Sequence, residues 1–252
     1  MTQFSANLGF LWNDLTLPDA IRAAKAAGFD AVECHWPYAF DAQAVKAALQ
    51  ETELSMLGLN TVRGKDGENG LAALPGREDE ARAAIDQAIE YAVAIETKNI
   101  HVMAGFAKGQ DAHNTFVSNL RYACDKAEDH GITILIEPLN HYDAPKYFLS
   151  KTGQAKTIIE EAGYNNLKMM FDCYHVQLME GDISNRLKKM ETIIGHIQFA
   201  SVPDRGTPDH GELNYLDIFK TIADMGYNAP LGAEYKSAKP TDETLGWMKL
   251  FT

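Results

Sequence analysis

The sequence predicts an α/β protein, a single closed (β/α)8 TIM barrel spanning residues 1–252. Three observations predict it. Eight short apolar runs alternate with eight longer amphipathic ones along the chain. Repeated strand-then-helix units with short links imply a parallel sheet. The length of 252 residues suits eight such units closed on themselves, because barrels of this kind run to about 250 residues. Finally, no composition shift, proline-rich linker or low-complexity block divides the chain. The open-sheet alternative is the weaker one, because no G-x-G-x-x-G follows the first strand to form a dinucleotide crevice.

The units follow in order. "SANLGF" (5–10) precedes "LPDAIRAAKAAGF", where Pro18 sits near a helix start and Gly28 near its end. "AVECHW" (31–36) leads to "FDAQAVKAALQET", with Asp41 placed to cap the helix. "LSMLGLN" (54–60) opens into the long loop "TVRGKDGENGLAALPG" (61–76) before the alanine-rich helix at 77–95. "NIHVMAG" (99–105), "ITILIEP" (132–138) and "LKMMFDCYH" (167–175) each precede a helical stretch, the last ending near Met190. "IIGHIQFA" (193–200) is followed by a second long loop, "SVPDRGTPDHGEL" (201–213), and "PLGAEY" (230–235) by a short C-terminal segment. Both long loops leave C-terminal strand ends, the face that carries active sites in this architecture.

Composition removes several function classes. The chain is 46% hydrophobic and 23% charged, enough for a core that needs no disulfide or structural metal. Its net charge of −12, without a basic tract, argues against nucleic acid or anionic membrane as partners. A small anionic substrate needs only one or two local cations and stays open, as does a homo-oligomer. Cys34, Cys124 and Cys173 form no C-x-x-C pair, as expected of reduced buried thiols in a cytoplasmic protein. The N-terminal stretch lacks the basic and apolar regions of a signal peptide.

The chemistry is written at the strand ends. Glu137, Asp172, Gln198 and Glu234 terminate or nearly terminate the fifth to eighth apolar runs, separated by 35, 26 and 36 residues. In a barrel these side chains converge on one side of the mouth. Three carboxylates without cations repel one another and are driven toward protonation. A divalent cation resolves the conflict, and an all-oxygen set suits Mg²⁺ or Mn²⁺. Gln198, otherwise an amide misplaced in an apolar strand, then offers its carbonyl as a ligand while its NH₂ donates to a neighbour. A carboxylate at one strand end is as often a helix cap or an arginine's partner, but four in register on consecutive strands outweigh coincidence.

The other polar residues divide between pocket and core. His175, three residues past Asp172, is placed to bond a substrate hydroxyl. His101 and His35 are either pocket residues or satisfied core histidines, and Glu33 and Asn60 are weaker pocket candidates. Phe10, Trp12, Trp36 and Tyr38 wall the mouth or pack in the core. Arg205 is either paired with Asp204 or Asp209 or free to hold a substrate carboxylate in bidentate fashion. Arg63, Lys65 and Lys236 are alternatives for that second role.

"LAALPGRE", "HVMAG", "IEPLN", "MFDCYHVQLMEGD", "GHIQFASVPDRGTPDHGELNY" and "GAEYKSAKP" together resemble the hydroxypyruvate isomerase family, within the xylose-isomerase-like TIM barrels. The likeness covers nearly the whole chain. It implies a divalent metal on Glu137, Asp172, Gln198 and Glu234, with Glu137 and Glu234 as the acid/base pair. It also implies a small keto or hydroxy acid substrate, hydroxypyruvate or a four-carbon 2-oxo-tetronate analogue. The related sugar 3-epimerases place histidine where this chain has Gln198, and they share the D-x-x-H of Asp172 and His175 and an arginine comparable to Arg205. The chain departs from the family in its short end after Trp247. An epimerase would exchange a proton at C3 without moving the carbonyl. A DNA-repair endonuclease of the same barrel type would call for several histidine ligands and a basic face. A non-catalytic barrel is the third alternative.

Overall fold

The computed structural model describes residues 2–251. Nine strand segments, all parallel, surround one core: β1 (Phe4–Asn7), β2 (Ala31–Glu33), β3 (Ser55–Met56), β4 (Leu59–Asn60), β5 (Asn99–His101), β6 (Thr133–Ile136), β7 (Leu167–Asp172), β8 (Ile194–Phe199) and β9 (Leu231–Ala233). Their order is β3-β2-β1-β9-β8-β7-β6-β5-β4. The two terminal members, β3 and β4, belong to one stretch of chain. The barrel therefore has eight staves, and the third is broken at Leu57 and Gly58.

Neighbouring groups take up three of the four backbone groups at that break. Leu57 N–H donates to the Val32 carbonyl at 2.7 Å, and the Gly58 carbonyl accepts from Cys34 N–H at 3.1 Å. On the other edge the Asn99 side chain donates to the Leu57 carbonyl at 2.6 Å. Buried backbone groups need such partners, and here a side chain replaces the missing ladder rung. The first half of the stave pairs with β2 and the second with β5, which closes the ring.

The helices α1 (Leu17–Ala26), α2 (Ala42–Thr52), α3 (Glu78–Ala94), α4 (Gly109–Glu128) and α5 (Thr152–Ala162) lie between successive staves. Thr16 caps α1 by accepting from Asp19 N–H, with proline in its first turn, and Asp41 caps α2 by accepting from Ala44 N–H. Gly28, at φ +91, reverses the chain after α1, a backbone shape that side-chain-bearing residues resist. The stretch after β7 is two helices rather than one, α6 (Cys173–Met179) and α7 (Ile183–Met190). They are followed by α8 (Tyr215–Asp224) and by α9 (Met248–Phe251), a single turn. Trp247 anchors the segment before α9 to the core. It is fully buried and meets Phe4 and Phe199 edge-on, with ring centroids 5.0 and 5.5 Å away.

All three cysteines are buried and unpaired. Among the described residues no helix is long and apolar enough to cross a membrane.

Candidate active site

Strand alternation sends Asn7, His196, Gln198 and Gly232 toward the barrel axis, and the strand ends carry Glu137, Asp172 and Glu234 to the mouth. The structure brings together all four strand-end residues named from the sequence. Glu137, Gln198 and Glu234 line one small cleft together with His101, His35, Asn60 and Glu33. Asp172 adjoins it, its carboxylate 3.7 Å from the same Arg205 nitrogen that holds Glu234. The four are 6, 1, 4 and 6% exposed for Glu137, Asp172, Gln198 and Glu234, so their polar atoms have almost no access to bulk water.

Glu234 is bonded at both oxygens, whereas Asp172 and Gln198 are only half satisfied. Asp172 ends β7 and caps α6, its Oδ1 accepting from Tyr174 N–H at 2.8 Å. Its Oδ2 has no hydrogen-bond partner, and neither do Glu137 Oε1 and Gln198 Oε1. Gln198 Nε2 donates to Glu33 Oε1 at 2.6 Å, which turns the amide oxygen away from Glu33. Three orphaned, buried oxygens in one cleft cost free energy unless something fills them. A hard divalent ion fits that donor set.

The charge states agree. Burial, then the nearby Glu234 and Asp172, push the Glu137 carboxyl well above its ordinary value. Burial and Glu234 raise Asp172 to about 8, against the pull of Arg205. Burial opposes ionisation of Glu234 as well. Yet Arg205 and the hydrogen bond from His35 hold it well below the usual carboxylate range. One arginine thus neutralises one carboxylate and leaves two without a counter-charge.

The histidines sort by tautomer. Glu137 and Asp172 form with His175 a cluster whose ligand atoms lie within 4.8 Å of one another. Asn140 settles what His175 contributes. Its Oδ1 accepts from Tyr142 and Asp143 N–H, both at 2.9 Å, so its NH₂ points the other way, to His175 Nδ1 at 2.7 Å. Asn140 backbone N–H reaches the same nitrogen at 3.1 Å. Burial, then Arg205, hold His175 near a pKa of about 3, so the ring is neutral. With Nδ1 accepting, its one proton sits on Nε2. That N–H lies 3.6 Å from Asp172 Oδ2 and is a donor, not a lone pair. His175 therefore suits a substrate oxygen better than a cation. His101 is also buried and neutral, burial lowering it to about 3. Neither ring nitrogen has a hydrogen-bond partner, and Nδ1 is 3.6 Å from Glu137 Oε2.

Arg205 pairs with neither Asp204 nor Asp209. It is buried, with φ +55, and its guanidinium lies 4.8 Å from the Phe10 ring and 4.9 Å from the Tyr174 ring. Nη2 bonds Glu234 Oε2 at 2.8 Å and Nη1 reaches Asp143 Oδ2 at 3.3 Å. Asp204 bonds His210 instead, at 2.8 Å. Lys236 is exposed, its Nζ 5.5 Å from the Phe10 ring. Arg63 stacks over Trp36 at 4.2 Å, also at the rim. Phe10 and Trp36 flank His35, whose Nε2 bonds Glu234 Oε1 at 3.0 Å. Trp12 and Tyr38 serve the framework, Trp12 buried against Phe29 and Tyr38 donating to the Asn60 carbonyl. Sequence reading ranked Glu33 low and passed over Asn7, His196 and Asn140. For Asn7 and His196 the visible signal was a polar residue within an apolar strand, as with Gln198; Asn140 lies in the loop after β6 and carries no such signal.

A parallel barrel with a buried, acidic pocket at the C-terminal strand ends has the build of an enzyme, since that face carries the active sites of this architecture. Residues 21–251 match the family described as xylose isomerase-like TIM barrel, and the chain belongs to that family. It is 43% identical to a 2-oxo-tetronate isomerase of Cupriavidus necator, over 99% of this chain and 98% of that one. It is 40% identical to the hydroxypyruvate isomerase of Escherichia coli, over 98% of each chain. Within the family it therefore stands with the isomerases. A solved structure from Brucella melitensis, described as an AP endonuclease of family 2, superposes with a TM-score of 0.96. The two are 38% identical over 100% of this chain and 99% of that one.

Proposed function

We propose that the protein is a metal-dependent isomerase of a small 2-keto acid, interconverting hydroxypyruvate and tartronate semialdehyde or a 2-oxo-tetronate pair. The observation that carries this reading is the set of unpartnered buried oxygens on Glu137, Asp172 and Gln198, beside Glu234. These four residues would hold Mg²⁺ or Mn²⁺. When bound, the ion supplies Lewis-acid stabilisation of the negative charge that develops on the substrate's adjacent oxygens.

The protein's own groups supply the proton transfers. Glu137, past β6, and Glu234, past β9, flank the site; one takes the C3 proton and the same or the other glutamate returns a proton to C2, through an enediolate. His175 Nε2–H and His101 donate to substrate oxygens. Arg205, or Lys236 at the rim, balances the substrate carboxylate. Burial of the site keeps water from the charged intermediate.

The endonuclease reading is favoured by the description of the Brucella structure. A net charge of −12 and an active cleft walled by buried side chains oppose it, because a DNA backbone needs clustered lysine and arginine. NMR in D₂O distinguishes the readings. Mn²⁺- or Mg²⁺-loaded protein should move the hydroxypyruvate carbonyl from C2 to C3, with any solvent deuterium in the product at C2. Glu137→Gln and Glu234→Gln should each slow this by about 10²–10⁴-fold. Deuterium at C3 of a ketose with the carbonyl unmoved would point to epimerisation. Cleavage of a duplex carrying an abasic site, with no keto acid turned over, would sink the proposal.

A further inference from the structure

Beneath the mouth lies a second polar layer, where barrels of this type are filled by bulky apolar side chains. Glu33 and His196 are 3 and 5% exposed. Glu33 ends β2, yet its carboxylate spans β1 and β9 to reach β8. Oε1 accepts from Gln198 Nε2 at 2.6 Å and from Asn7 Nδ2 at 3.1 Å. Oε2 is 2.7 Å from His196 Nε2. The crossing is open because Gly232 has no side chain. A Cβ there would stand 2.6 and 2.7 Å from the two carboxylate oxygens and 2.8 Å from Gln198 Cγ.

An amide has two ends of nearly equal shape and opposite polarity. Only its surroundings decide which end faces a given neighbour. Glu33 carries acceptors alone when ionised, so it takes the NH₂ end of Gln198 and leaves Oε1 toward the cleft. Asn7 Nδ2 also donates to Glu234 Oε1 at 3.0 Å, so the same device touches the acid/base glutamate. We infer that Glu33, held in place by His196 and Asn7, is a positioning residue that fixes the Gln198 amide with its carbonyl oxygen, not its NH₂, toward the cation site. This rests on the metal-dependent reading above. Nothing in it requires Glu33 to touch substrate or metal.

Mn²⁺ titration by calorimetry on the EDTA-stripped full chain tests it, with thermal unfolding of each metal-free protein alongside. Glu33→Gln introduces a second amide and lets Gln198 turn; outer partners of metal ligands typically contribute about 10–100-fold in affinity, and a loss of that size is expected. Glu33→Asp keeps the charge but withdraws the carboxylate from Gln198, and should also weaken binding. In the double variant E33Q/Q198E, the amide introduced at position 33 donates to the carboxylate introduced at position 198. An oxygen again faces the cleft, and affinity should return to the wild-type level or above.

Wild-type affinity in Glu33→Gln or in Glu33→Asp would overturn the inference, even if either melts earlier, since a purely structural role predicts it in both and a purely electrostatic role predicts it in Glu33→Asp. A double variant as weak as Glu33→Gln would overturn it too. If Glu33→Gln does not fold, the double variant and Glu33→Asp carry the test. Failure of all three to fold would assign Glu33 to holding the barrel rather than the amide. Absence of Mn²⁺ binding by the wild type would instead sink the metal reading itself.

Discussion

At the scale of single residues, Arg205 shows how one cation organises an acidic site. Its guanidinium is gripped by two aromatic rings and shared between Glu234 and Asp143. Glu234 is ionised because of it, while Glu137 and Asp172, further from its reach, resist ionisation. Removing one partner of a buried ion pair leaves the other charged and unsolvated, which costs about 3–5 kcal/mol. Arg205→Leu should therefore lower the unfolding free energy by about that amount in urea titrations. An effect near zero would mean that water replaces the guanidinium at Glu234. The sequence exposed Arg205 as a cation beside the site but suggested the wrong local partners, Asp204 and Asp209. Proximity along the chain is a poor guide in a loop with left-handed backbone. The contacts that matter to Arg205 are 29 and 62 residues away, at Glu234 and Asp143.

At the scale of elements, the loop from Ser201 to Leu213 is the strap that carries Arg205. It is tied by Asp204, which accepts from Ser201 Oγ and from Gly206 N–H and bonds His210 Nε2 at 2.8 Å. Burial works against ionisation of Asp204, yet the bonds from Ser201 and His210 bring it to about 2. His210 is raised, chiefly by its bond to Asp204, with Asp209 adding to it and burial opposing. The signs differ. Asp204 is lowered, so its contribution is present above its unfolded value near 3.8 and lost as pH falls toward about 2. His210 is raised, so its contribution is complete below about 6.5 and lost as pH rises through its folded value. The strap should be tightest between about pH 4 and 6.5. An NMR titration should place the His210 midpoint above 6.5, and Asp204→Asn should bring it down. A midpoint unmoved by that substitution would assign the shift to Asp209. Elements of this kind were legible only in part. Apolar runs located all eight staves, but the break at Leu57 and Gly58 was hidden, because its repair comes from the Asn99 side chain on the next strand. The single helix read after β7 became two, since Asp182 at φ +58 turns the chain between them.

For the whole molecule, the barrel encloses more carboxyl groups than cations to balance them. Among the described residues Glu33, Glu137, Asp172 and Glu234 are buried, whereas Arg205 is the one lysine or arginine buried with them. Strand-end spacing made the upper ring of this arrangement legible, because one βα unit separates successive positions and the carboxylates stand out against apolar runs. The lower ring was not, since Glu33, Asn7, His196 and Gly232 acquire meaning only when β2, β1, β8 and β9 become neighbours. Sequence periodicity reports which way a side chain points, not which strand it meets. An excess of buried carboxylate makes the folded state a better cation binder than the unfolded chain, in which the same groups are solvated and far apart. Ligand that binds only the folded state stabilises it by RT ln(1 + [L]/Kd), about 2.7 kcal/mol at a hundredfold excess over Kd. Mn²⁺ at that excess should raise the unfolding free energy of EDTA-stripped protein by about 2.7 kcal/mol, and renewed chelation should reverse it. Asp172→Asn should lose most of the increment, while its metal-free form should be no less stable than the wild type apart from the α6 cap. The comparison is made by urea unfolding with and without Mn²⁺. Equal increments in both proteins would place the bound ion outside the cluster of Glu137, Asp172, Gln198 and Glu234.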